Sequence, residues 1–109
     1  MRATVQDKAR LEQELSRLVA QLKAMGAKKI ILFGSLARGE LSLFSDIDLL
    51  VLFENDRPSR ELTQDVYKRL EACEGVDILA YSRRALAALQ ERPFFRHILS
   101  YGKVLYEEP

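Results

Sequence analysis

The run Ile47-Asp48-Leu49-Leu50-Val51-Leu52-Phe53 constrains this chain more than any other. Side chains alternate between the two faces of a strand, so a strand with one wet face shows alternating apolar and polar residues. Beyond Asp48 this run is apolar at every position, as expected for a strand covered on both faces by other layers. With 109 residues, 48% of them hydrophobic, the chain can supply such a core but falls short of two ordinary domains. Residues 1–109 are therefore expected to form a single domain.

The flanking patterns supply the covering layers. Leu11, Leu15, Leu18, Val19 and Leu22 recur at helical spacing and predict an amphipathic helix over residues 4–25, stopped by Gly26. A short strand is predicted at 28–33 (KKIILF), and the run above extends to a strand over 45–54. Pro58 is placed to open a helix over 59–73, apolar at Leu62, Val66, Leu70 and Cys73, and Gly75 ends it before a third strand at 76–81 (VDILAY). Ser82 can cap a helix reaching residue 90, and Pro93 can open another reaching Ser100. The tail KVLYE reads as a short edge strand. The fold class is α/β or α+β, a small mixed sheet covered by helices.

Charge and cysteine content exclude several classes. Seventeen basic residues against sixteen acidic give a net charge of +1, which offers no electrostatic footing for a nucleic-acid or membrane partner. Cys73 is the only cysteine, so an intramolecular disulfide and a cysteine metal cluster are both excluded, and a reducing, cytoplasmic setting is expected. The charged N-terminus has no apolar signal core, and no run approaches the ~20 apolar residues of a membrane span.

The chemistry gathers around Phe33–Val51. Asp46 and Asp48 are two residues apart at a strand mouth, so they share a face and can share a hard cation. Asp77 stands in the same place at the start of the third strand. Three carboxylates around two metal ions are suited to in-line displacement at phosphorus. Gly34 lets backbone amides approach an anion closely, Ser35 adds a hydroxyl, and Arg38, one turn later, adds a charge-assisted contact. Singly, Asp-x-Asp is a solvated strand end and Gly-Ser a turn. The joint order is more specific than either.

In that order and spacing, Gly34-Ser35, ten residues and then Asp46-x-Asp48 resembles the signature of the DNA polymerase beta-type nucleotidyltransferase superfamily. The stretch GSLARGELSLFSDIDLLV is similar to the minimal nucleotidyltransferase (MNT) group, small proteins often paired with a HEPN-domain protein. The resemblance implies a mixed-sheet nucleotidyltransferase core. It implies Asp46, Asp48 and Asp77 as metal ligands for magnesium, two ions in all, with Asp77 also helping to activate an acceptor hydroxyl. Gly34 and Ser35 would hold the triphosphate of ATP, with Arg38 in a secondary role. Larger relatives carry extra domains for their acceptors, so here the acceptor surface is expected on a partner. Within the MNT group that partner is a HEPN toxin whose tyrosine is adenylylated, making this chain an antitoxin in a homodimer or hetero-oligomer.

Two further readings compete: a non-catalytic module that neutralises its partner by occlusion, and a nucleotidyltransferase for a small molecule such as an aminoglycoside. Arg92, four residues and His97 superficially match the ribonuclease motif of HEPN toxins, but those domains are all-helical, and His97 reads as a packing or surface residue beside Phe94 and Phe95. Arg83 and Arg84, with Lys68 and Arg69, read as solvated helix ends.

Overall fold

A computed structural model describes residues 5–39, 47–71 and 75–109. The chain runs α1 (Val5–Ala24), β1 (Ala27–Phe33), β2 (Ile47–Phe53), α2 (Ser59–Arg69), β3 (Val76–Ser82), α3 (Arg83–Leu89), α4 (Pro93–Tyr101) and β4 (Lys103–Glu107). The sheet order is β3-β2-β1-β4. β1 pairs antiparallel with both β2 and β4, while β2 and β3 are parallel, joined through α2. The sheet is mixed, as the sequence predicts.

β2 occupies the interior position its composition demands. Leu49, Leu50 and Val51 are all fully buried. On one face Ile30, Leu32, Leu49, Val51, Ile78 and Ala80 pack against Leu11, Leu18 and Leu22 of α1 and Leu62 and Val66 of α2. On the other, Ile31, Leu50 and Leu52 pack against Leu86 of α3 and Phe95 and Ile98 of α4. Phe95 thus enters the core, whereas Phe94 is half exposed and meets Phe33 edge-on at 6.1 Å.

The helix boundaries have local causes. Gly26, at φ 101°, takes the left-handed conformation that ends α1. Ser82 caps α3 by accepting a hydrogen bond from the Ala85 N–H at 3.0 Å. One predicted boundary is corrected: α2 ends at Arg69 rather than running to residue 73, and Leu70 is extended. The carboxamide of Gln21 on α1 explains the early stop. It donates to the Glu71 carbonyl and accepts from the Glu71 N–H, both at 2.8 Å, which satisfies the backbone outside the helix. Cys73 lies outside the described residues.

β3 is an edge strand whose open side is covered by α2. The Tyr67 phenol accepts from the Ile78 N–H at 2.7 Å, and the Thr63 hydroxyl accepts from the Ala80 N–H at 3.4 Å. Ser59 donates its hydroxyl to the Ala80 carbonyl. These three residues recur every four positions along one helix face, so one stripe of α2 serves the strand's outward backbone groups. No helix among the described residues is long and apolar enough to cross a membrane.

Candidate active site

Register decides where the carboxylates lie. In the antiparallel pair, Phe33 stands opposite Asp48. In the parallel pair, Asp48 stands beside Asp77. Residues directly paired across strands share a face, so Phe33, Asp48 and Asp77 form a row across three strands at one end of the sheet. Neighbouring strands lie about 4.8 Å apart, which puts the two carboxylates within reach of a shared cation. The next row inward, Ile31, Leu50 and Leu79, packs in the core with α3 and α4 and forms an apolar floor. Asp48 is half-buried and Asp77 exposed. The backbone pins this end too, the Ile47 N–H donating to the Gly75 carbonyl at 2.9 Å. Asp46, the third predicted ligand, lies outside the described residues, and among those described no group of three His, Cys, Asp or Glu side chains forms a metal cage.

Gly34 turns the chain out of β1 directly against this row. Its φ is 78°, a conformation unfavourable for residues bearing a Cβ. A Cβ there would lie 2.2 Å from Asp48 Oδ2. Glycine is thus required both for the turn and for the close approach of the Asp48 carboxylate, the second a reason beyond the anion contact expected from sequence. Residues 35–39 follow as a helical turn, with the Arg38 N–H directed at the carbonyls of Gly34 (3.3 Å) and Ser35 (3.1 Å). Ser35 and Arg38 therefore sit on one compact turn beyond the end of β1.

The carboxylate oxygens suit a hard divalent cation, and the space kept open at Gly34 lets the Asp48 carboxylate lie over the turn that would carry phosphate. The donor chemistry and the packing therefore fit such an ion. The basic pair predicted to be solvated belongs elsewhere: Arg83 pairs with Glu54 at 3.5 Å and Arg84 with Asp56 at 3.6 Å, at the opposite end of β2 and β3. Five residue-to-residue steps along β3 from Asp77 to Ser82 place that cluster roughly 17 Å from the carboxylate row.

The profile of the Nucleotidyltransferase domain family matches residues 10–80, more than half of the chain and inclusive of Gly34, Asp48 and Asp77. This chain belongs to that family. The chain is also similar in structure to a protein from Sulfolobus solfataricus whose crystal structure carries a provisional nucleotidyltransferase name. The TM-score is 0.68 at 16% identity, over 94% of this chain and 86% of that one, which shows a common fold. No curated protein sequence matches this chain. The family's general chemistry, transfer from a nucleoside triphosphate with a divalent metal, agrees with an oxygen-rich strand end beside a glycine turn.

His97 was predicted to pack or to lie at the surface. It belongs to neither core cluster and is exposed, its ring lying 4.9 Å from that of Tyr101 and tilted by 41°. Arg92 is the residue before α4 begins, and the four-stranded sheet is incompatible with an all-helical HEPN domain.

Proposed function

We propose that this chain transfers a nucleotidyl group, AMP from ATP, to a hydroxyl. The pairing of Asp48 with Asp77 on adjacent parallel strands, beside the Gly34 turn, carries this reading. Asp48 and Asp77, joined by Asp46, would hold two magnesium ions. Bound there, such ions supply electrostatic stabilisation of the attacking and leaving oxygens. The backbone at Gly34 and the Ser35 hydroxyl orient the β- and γ-phosphates, and Arg38 adds positive charge. The acceptor oxygen forms a bond to the α-phosphorus as the bond to the bridging oxygen breaks. Pyrophosphate departs with that electron pair, and Asp77, the more exposed carboxylate, takes the acceptor's proton.

The resemblance to the MNT group supports a finer assignment, in which the acceptor is a tyrosine of a HEPN-domain toxin and this chain is its antitoxin. The described elements are all engaged in the two layers around the sheet, which favours an acceptor surface supplied by the partner. The test is label transfer: protein, magnesium and ATP labelled at the α-phosphate, with and without lysate of its source, beside Asp48→Asn and Asp77→Asn. A labelled protein band that disappears with either variant supports the proposal, and its mass identifies the acceptor. No label under any condition, with folded protein and bound ATP, refutes it. Occlusion without catalysis predicts instead that an Asp46→Asn/Asp48→Asn double variant neutralises its partner as well as the parent does. A small-molecule acceptor would show as label on an aminoglycoside with the purified protein alone.

A further inference from the structure

We propose that His97 is a binding residue for the leaving pyrophosphate, and this rests on the nucleotidyl-transfer reading above. The inference begins with the way α4 returns to the sheet. Its capping residue Gly102 is pressed against β1: a Cβ there would lie 2.5 Å from Ile31 Cγ2 and 3.2 Å from the Leu32 carbonyl oxygen. The Gly102 N–H also donates to the Ile98 carbonyl at 2.7 Å. The last turns of α4 are thereby fixed beside the end of β1.

His97 and Tyr101, one helical turn apart, line a shallow cleft with Phe33, Gly34 and Arg38. The cleft lies on the β1 side of Asp48, whereas Asp77 lies on the β3 side. In-line displacement requires the leaving group to depart opposite the incoming oxygen. With the acceptor's proton passing to Asp77, the pyrophosphate leaves toward Gly34 and this cleft. Imidazole carries at least one N–H donor in every protonation state, so His97 can donate to a phosphate oxygen whether neutral or charged. The Tyr101 ring lies beside it, 4.9 Å away and tilted by 41°. The cleft is too narrow to enclose an anion, which would instead lie across its mouth between the Gly34 turn and α4.

His97 is the only histidine in the chain, so its ring protons give unambiguous NMR signals. The experiment titrates magnesium pyrophosphate, magnesium ATP and, as a control, adenosine into the full chain. Saturable shifts with pyrophosphate and ATP but not with adenosine support the inference. His97→Ala should weaken pyrophosphate about tenfold, the loss of one hydrogen bond to a charged group, and raise the KM for ATP more than it lowers kcat. His97→Gln, which keeps an N–H donor, should recover part of this. Unmoved His97 signals under saturating ATP, or pyrophosphate affinity within about twofold in His97→Ala, overturn it. If label transfer persists with unmoved His97 signals, this inference alone fails; if neither ATP nor pyrophosphate binds, the functional reading falls with it.

Discussion

Replacing Gly34 by alanine tests the construction of the site most directly. At φ 78° an L residue costs about 1–2 kcal/mol relative to glycine. The new Cβ would also lie 2.2 Å from Asp48 Oδ2 and 3.2 Å from its Cγ, so the carboxylate has to move by about 1 Å. The atom met is the end of a half-buried side chain, so rotation of the carboxylate relieves the clash and leaves about 1 kcal/mol of off-rotamer strain. The two contributions separate because only the second needs the carboxylate. With Asp48→Ala, the nearest remaining Asp48-derived atom is the Cβ, at an ordinary 3.5 Å. Gly34→Ala should therefore cost about 2–3 kcal/mol in the parent and about 1–2 kcal/mol beside Asp48→Ala, a coupling of about 1 kcal/mol. Urea unfolding of the four proteins measures it. Nucleotidyl transfer by Gly34→Ala should fall about a hundredfold, since a ligand displaced by about 1 Å no longer meets the reacting groups. Additive stabilities within about 0.5 kcal/mol, with transfer retained, would refute the reasoning.

Tyr67→Phe removes the acceptor for the Ile78 N–H and should cost about 1 kcal/mol, with faster hydrogen exchange at that amide. Ser82→Ala removes the cap of α3 and should also cost about 1 kcal/mol in equilibrium unfolding. The hydrogen bond from Arg57 holds the Asp65 carboxyl below its ordinary value of 3.8. A depressed carboxylate stabilises the fold above its unfolded pKa and loses that contribution as pH falls through the folded value. The stability advantage of the parent over Asp65→Asn should thus be present at neutral pH and shrink below about pH 4, as read from thermal midpoints.

Particular residues show how much the sequence discloses. The two-sided apolar run of β2 is enough to place it inside the sheet. Periodicity does not say which strand lies beside which, so the pairing of Asp48 with Asp77 across a parallel ladder emerges only from the assembled sheet. The end of α2 was illegible for a similar reason: the amide that satisfies Glu71 comes from Gln21, fifty residues away. A histidine among phenylalanines carries no local mark of function, and His97 gains its place beside Gly34 only because α4 folds back over β1. Gly34 itself was legible as a turn, but its contact with Asp48 was not.

The hydroxyl stripe of α2 has a consequence for assembly. Because Ser59, Thr63 and Tyr67 already engage the outward N–H of Ile78 and both the N–H and the C=O of Ala80, another strand cannot join there without displacing a helix. At the far border, the outer side of β4 pairs with no described strand. Lateral growth of this sheet, whether by an appended segment of a longer relative or by a neighbouring molecule, is therefore directional. It would proceed past β4, adding material beyond the β1 border and leaving the approach to Asp77 unobstructed.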